Sequence, residues 1–310
     1  MENRKECRVE VLTVTPVFLA GANPRTSVEL RSPSFRGALR FWFRALLGGV
    51  LGDNPEEIFK REKEVFGSTD YGSPVIVRVR GELGTTDYNP LPHKDDKDVR
   101  FKFKGLEPNK AFSIVLVSRN EGVINEVAKA LRLLCLLGGI GKRSRRGFGS
   151  LQIANGDLPK LEAATTKELS SHLKEQLNKM TSNKFAVLNS TPGFAILHPL
   201  WAQVRVCVKE FDYWEEAIRF VMKKAHEHKN PALGWAGREG RQASPVHVHV
   251  TRLANGRYSL VLTTLLSRLN PSLKMQADRE ELVRFLENFE GFIVFGFEEV
   301  PKNWPIGNEK

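Results

Sequence analysis

The chain has 310 residues, enough for about two domains of ordinary size. With 41% hydrophobic and 27% charged residues it has the composition of a core-forming protein, which excludes a disordered or fibrous chain. Its 47 Lys and Arg against 36 Asp and Glu leave a net charge of +11, which favours polyanionic partners. The three cysteines, Cys7, Cys135 and Cys207, are scattered and form no CxxC pair. Neither a zinc module nor a disulfide framework is expected, and a reducing, cytoplasmic setting is the plain reading. The longest apolar stretch, around residues 130–140, carries Arg132 and is too short to span a bilayer. The N-terminal segment lacks the apolar run of a secretory signal, so no membrane partner is expected.

Residues 9–18 alternate, are rich in β-branched side chains and contain Pro16, which predicts a strand. A Gly/Pro/Asn-rich loop (residues 20–24) leads to Arg31-Ser32-Pro33-Ser34, where a Ser N-cap should open a helix over residues 35–47, stopped by Gly48-Gly49. Strands are expected at 74–79 and 111–118, separated by a polar insertion at 81–110. A helix over 121–137, a Gly-rich turn and a strand at 150–154 complete a β-α-β-β-α-β order. Residues 155–183 read as a connector with a short amphipathic helix at 167–180. The same order then returns. A strand lies within 194–208, a helix at 212–227, two strands at 246–252 and 258–265 facing each other across Ala254-Asn255-Gly256, a helix at 279–289 and a strand at 292–297. The expected fold is therefore α+β, a tandem of two ferredoxin-like domains, residues 1–155 and 156–310.

The basic charge is concentrated. Five arginines, Arg25, Arg31, Arg36, Arg40 and Arg44, stand between residues 22 and 52 against Glu29 alone. Arg36, Arg40 and Arg44 recur every four residues and form one stripe, beside an apolar face of Phe35, Leu39, Trp42, Phe43 and Leu46. Arginines so spaced repel one another unless an anion bridges them, and guanidinium forks match phosphate oxygens in pairs. The alternative is a solvated helix face whose Arg stems cover Trp42. A second concentration, Lys142-Arg143-Ser144-Arg145-Arg146, is framed by Gly138, Gly139, Gly141, Gly147 and Gly149. Glycines there allow backbone amides to face outward as an anion-binding nest. Ser or Thr does not follow Gly141-Lys142, so this is not a phosphate loop of the Walker type. A third segment, Gly234-Trp235-Ala236-Gly237-Arg238-Glu239-Gly240-Arg241, could clamp a backbone through Arg238 and Arg241 and stack a base on Trp235; an anchoring Trp is the other reading.

Residues suited to catalysis are scattered. His247 and His249 share a strand face and could ligate a metal, but no third ligand is near in sequence. His226 and His228 close a helix, where cationic groups suit the C-terminal dipole. His93 lies beside Asp95, Asp96 and Asp98 in the long insertion, which reads as a solvated loop. No GxSxG, HExxH or EF-hand pattern occurs. No catalytic residue, metal or cofactor is assigned.

The segment from Leu30 to Arg44, Leu-Arg-Ser-Pro-Ser-Phe-Arg-Gly-Ala-Leu-Arg-Phe-Trp-Phe-Arg, together with Gly141-Lys142-Arg143-Ser144-Arg145-Arg146-Gly147-Phe148-Gly149, resembles the RAMP superfamily of CRISPR proteins. Within it the likeness is to the family that forms the first subunit of the type III-B Cmr effector complex. Val14-Thr15-Pro16-Val17-Phe18 and Arg241-Gln242-Ala243-Ser244-Pro245-Val246-His247 add to the likeness. The resemblance implies a binding subunit in RNA-guided antiviral silencing that contacts guide or target single-stranded RNA near the guide's 3′ end, with other Cmr subunits as partners. It carries an RNA-binding role to Arg31, Arg36, Arg40, Arg44, Lys142, Arg143, Arg145 and Arg146, and then to Arg238 and Arg241. The rival class is a metal-independent endoribonuclease that processes guide precursors; its Gly-rich loop lies near the C-terminus, whereas here the clear one ends the first half. A basic scaffold that meets only proteins would leave both cation clusters without an anion.

Overall fold

The computed structural model describes residues 4–21, 27–94 and 101–305. In chain order the elements are β1 (Lys5–Thr13), α1 (Ser32–Leu51), α2 (Pro55–Phe66), β2 (Ile76–Arg80), β3 (Thr85–Tyr88), β4 (Phe103–Leu106), β5 (Ala111–Ser118), α3 (Glu121–Leu137), β6 (Leu151–Gly156) and α4 (Thr166–Thr181). The second half contains β7 (Ala202–Phe211), α5 (Trp214–Glu227), β8 (Trp235–Gly237), β9 (Gly240–Gln242), β10 (Val246–Arg252), β11 (Tyr258–Leu265), α6 (Arg279–Glu287) and β12 (Gly291–Gly296). They build a mixed α+β fold with two four-stranded sheets, ordered β2-β5-β1-β6 and β10-β11-β7-β12, in which every neighbouring pair is antiparallel. No helix among the described residues is long and apolar enough to cross a membrane.

Where local signals are strong, the expected and observed elements coincide. Asn120 caps α3 by accepting from the amides of Gly122 and Val123, and Gly138 closes it. Three departures have physical causes. The first strand runs over Lys5–Thr13 rather than 9–18, because the chain then leaves the sheet and Val17 exchanges two backbone hydrogen bonds with Leu106 at the end of β4. The Ser N-cap is not made: Arg31 occupies that position, without a side-chain cap. Helix α1 also runs through Gly48-Gly49 instead of stopping there. A Cβ on Gly49 would stand 2.2 Å from the Leu197 carbonyl oxygen, so this pair admits the returning chain and does not break the helix. Helix α2 is an addition to the expected elements. Its start is nonetheless conventional: Asn54 accepts from the Glu57 amide at 3.2 Å, and Pro55 opens the first turn.

The two halves are packed together. Leu169, Leu173 and Leu177 of α4, expected on a connector, share one core with Leu131 and Leu134 of α3, Val204 and Val206 of β7 and Val294 of β12. A second core unites Ile218 and Val221 of α5, Leu282 and Phe285 of α6 and Leu260 of β11 with Val14, Phe18 and Phe148 of the first half. The edge of β10 is covered by side chains of the β6 region. The Val250 amide donates to Ser150 Oγ at 2.9 Å, and the Arg252 amide donates to Gln152 Oε1 at 3.2 Å.

Candidate nucleic-acid interface

The Gly-rich loop after α3 is held from beneath. The amides of Lys142 and Gly149 donate to the carbonyls of Phe18 and Pro16, both at 2.9 Å, and the Ile140 amide donates to Gly149 at 3.0 Å. Gly141 and Gly149 lie at φ 86° and 69°; a Cβ on Gly149 would fall 1.9 Å from the Ile140 carbonyl oxygen. With these amides turned inward, the loop's charge is presented by its side chains more than by a nest.

Those side chains diverge. Lys142 points outward, its Nζ 5.2 Å from the Phe103 ring centroid. Arg145 donates to the Ser244 carbonyl in the second half and lies 5.9 Å over the Phe41 ring. Arg146 donates to Ser244 Oγ at 3.2 Å and to the Leu233 carbonyl at 3.0 Å. Burial, reinforced by the neighbouring charges of Arg143 and Arg145, pushes Arg146 down to about 10, so it remains charged at pH 7. Arg143, at φ 60°, has its pKa lowered by burial and faces His93.

Between this loop, α1 and β10 opens a cleft of about 510 Å³, lined by Phe18, Ser34, Phe41, Trp42, Lys142, Arg145 and His247 among others. His247 is 8% exposed and packs its ring against Phe41 (5.1 Å between centroids) and Trp42 (5.5 Å). Burial, then the charges of Arg145 and Arg146, hold it well below the ordinary histidine range, so it is neutral at pH 7. His249 Nδ1 lies 2.6 Å from the Gly138 carbonyl oxygen, and burial brings it down to about 4. The histidine pair is thus a packing feature. Among the described residues no group of three or more His, Cys, Asp or Glu could hold a metal ion.

The cleft has a neighbouring chamber at each end, with shared walls. Through Phe18, Leu19, Ala20 and Lys142 it joins a chamber of about 340 Å³ walled by Phe101, Lys102, Phe103 and Lys104. Through Phe41, Arg145 and His247 it joins one of about 270 Å³ that reaches Arg44, Gln242 and Trp304. Among the described residues no carboxylate lines any of the three, while Arg44, Lys102, Lys104, Lys142 and Arg145 do. The Phe-Lys-Phe-Lys alternation at 101–104, inside the polar insertion, is a signal for this wall that is legible in the sequence.

The arginine stripe has protein partners. Arg36 and Arg40 donate to the Phe66 carbonyl, and Arg40 also to Gly67 at 2.9 Å, at the C-terminus of α2. Arg44 Nη1 holds both oxygens of the buried Glu62, at 3.2 and 3.1 Å, and Arg40 Nε is 3.3 Å from the same carboxylate. Arginines at a helix C-terminus meet its negative dipole end, so α2 supplies the anion that the stripe requires. Arg36 is depressed by burial and by Arg40, and with Lys63 and Thr69 it lines a separate cavity of about 350 Å³. Arg31 donates to the Ala20 carbonyl at 3.3 Å and lies 3.9 Å from Glu29. Arg25 lies outside the described residues, as do Asp95, Asp96 and Asp98. In the second half Trp235 Nε1 donates to Glu239 at 3.2 Å across the β8–β9 hairpin, which leaves Arg238 and Arg241 exposed. Arg241 neighbours Gln242, a wall of the third chamber.

A family model described as the RAMP superfamily matches residues 10–152. Two relatives from Pyrococcus furiosus are the CRISPR system Cmr subunits Cmr1-1 and Cmr1-2. The first is 28% identical over 322 residues, covering 92% of this chain and 94% of the relative. The second is 32% identical over 178 residues, covering 48% of this chain and 95% of the relative. The crystal structure of Cmr1 from Pyrococcus furiosus, apo form, superposes with a TM-score of 0.70 at 23% identity, covering 94% of this chain and 99% of that one. A chain in the cryo-EM structure of the type III-B Cmr-beta bound to cognate target RNA gives 0.63 at 12% identity, covering 92% and 98%. The chain belongs to the RAMP superfamily of CRISPR proteins, and within it to the family of the Cmr1 subunits.

Proposed function

We propose that the chain is a non-catalytic RNA-binding subunit of a type III-B Cmr effector complex, working in the cytoplasm beside other Cmr subunits. It holds guide or target single-stranded RNA near the guide's 3′ end along the joined chambers. The observation that carries this reading is a row of three adjoining chambers, walled by both halves, that combines five cations and several aromatic rings with no carboxylate among the described residues. Cations track a phosphate backbone while aromatic faces accept bases, the combination that single-strand binders use. Relatives that are Cmr subunits, and a fold shared with a chain of a Cmr assembly bound to target RNA, support the setting. The architecture we read as a tandem of ferredoxin-like domains, residues 1–155 and 156–310; the common order of the two sheets, with helices between their first and second and their third and fourth strands, supports it.

Of the expected RNA contacts, Arg44, Lys142 and Arg145 belong to this groove, and Arg31, Arg143, Arg238 and Arg241 extend it with Trp235 as a flanking ring. Arg36, Arg40 and Arg146 act through packing. The test is titration of the purified protein with labelled single-stranded RNA over a salt series, with and without EDTA. If all five groove cations neutralise phosphates, the log–log slope is about −3.5, and Lys142→Ala flattens it by about 0.7. A salt-independent affinity would refute the groove. Discrete RNA products that persist in EDTA would move the assignment to the processing endoribonuclease.

A further inference from the structure

The second chamber has a construction of its own. Phe18 sits at the centre of an aromatic group, 5.3 Å from Phe103, 6.3 Å from Tyr88 and 4.8 Å from Phe148 between ring centroids. It is buried, and Gly105 of β4 lies directly against it: a Cβ there would meet the Phe18 ring at 2.9 Å. Phe103 is thereby fixed. Phe101 packs on it at 5.4 Å with an interplanar angle of 35°, yet is 48% exposed. An aromatic face is thus held rigid from below and left open above. Lys102, Lys104 and Lys142 surround it, and neither Lys102 nor Lys104 makes an ion pair among the described residues. At about 340 Å³ the chamber is at the small end of ligand pockets, sized for one nucleoside rather than for a run of strand.

We propose that this chamber takes one unstacked nucleobase of the bound RNA, which lies on Phe101 while Lys102, Lys104 and Lys142 hold the flanking phosphates. The inference rests on the reading that the groove binds RNA, and it adds which part of the strand enters and in what state. A base inside a duplex is stacked on both faces, so the chamber selects an unpaired nucleotide. Stacking on one aromatic ring is tolerant of base identity, because every base presents a π-face.

The experiment uses the full chain and single-stranded RNAs that carry 2-aminopurine at successive positions, whose fluorescence rises when the base leaves its neighbours. One position brightens on binding to the unmodified protein. Phe101→Ala abolishes that brightening and weakens single-strand binding by about tenfold, without changing the salt slope; Phe101→Tyr retains both signals. Lys102→Ala and Lys104→Ala each flatten the slope by about 0.7. A matched RNA duplex shows no dependence on Phe101. Because Phe101 is half exposed, its truncation leaves the core intact. Unchanged affinity and brightening in Phe101→Ala, while Lys142→Ala still flattens the slope, overturns this inference and leaves the groove standing. Equal losses in the Ala and Tyr variants make the ring structural and also overturn it. If Lys142→Ala is silent as well, the RNA reading itself falls.

Discussion

Arg146 and Lys142 lie four residues apart in one basic loop, and the proposed function gives them opposite work. Arg146 ties the loop to Leu233 and Ser244 of the second half, whereas Lys142 faces the groove. Arg146→Met keeps the aliphatic stem and removes the fork. Two charge-assisted hydrogen bonds of about 1.5–3 kcal/mol each are lost, and the Leu233 carbonyl forfeits its guanidinium donor. Relief from burying the guanidinium returns part of that, which leaves a net cost of about 2–4 kcal/mol. In urea, with an m-value of about 3 kcal/mol/M, the midpoint falls by about 1 M. The salt slope of RNA binding, measured on the folded variant, stays unchanged, since no phosphate contact has been removed. Lys142→Ala behaves in the reverse way, with the urea midpoint held and the slope flattened. An Arg146→Met protein with an unmoved midpoint and a shallower salt slope would refute the division of labour.

The buried histidines set a pH dependence. His249 is brought from 6.5 to about 4, so between these values the unfolded chain binds a proton that the folded chain refuses. Its contribution to stability is complete above pH 6.5 and is lost as the pH falls toward 4, at about 1.4 kcal/mol per pH unit, with His247 acting in the same direction. Urea midpoints at pH 7 and 5 measure this; His249→Gln keeps a donor for Gly138 and flattens the dependence, and an unaltered slope in that variant would count against it. Glu62→Gln, which strips the counter-charge from Arg40 and Arg44, costs about 1–3 kcal/mol. Arg36→Ala should leave the RNA salt slope as it is, and a flattening of about 0.7 would return that residue to the phosphate backbone.

What could be read from the sequence was local, and what could not was mostly a question of partners. The 121–137 helix and the 246–252 and 258–265 strands emerged at their observed bounds. Asn120 and Gly138 punctuate the first, and Asn255-Gly256 turns the second pair. Helix α2 carries the same kind of signal in Asn54-Pro55-Glu56-Glu57, with Ile58, Glu62, Val65 and Phe66 as its buried stripe, though it is absent from the expected elements. That omission hid the anion that answers the arginine stripe, since Phe66 and Glu62 lie 30 and 18 residues beyond Arg36 and Arg44. The stripe thus has carbonyl and carboxylate partners on the next helix. Arg145 and Arg146 meet Ser244 across 99 and 98 residues, a contact that no local pattern announces.

The same long-range contact explains why the groove exists. Lys142, Phe41 and Trp42 come from the first half, His247 and Ser244 from the second, and Arg145 both lines the cleft and clasps the Ser244 carbonyl. A guanidinium anchored at one edge is restricted to few rotamers, so its charge is placed before RNA arrives and less side-chain entropy remains to be lost on binding. Neutral His247 beside it adds no positive charge to an already repulsive cluster, and its ring fills the floor against Phe41 and Trp42. The cations that close the two halves and those that face solvent are therefore parts of one arrangement. The inner ones, Arg145 and Arg146, hold the walls through Ser244 and Leu233, and the outer ones, Lys102, Lys104 and Lys142, line the chamber beyond them. A sequence with the same net charge but these residues exchanged between layers would keep its attraction for polyanions and lose the groove.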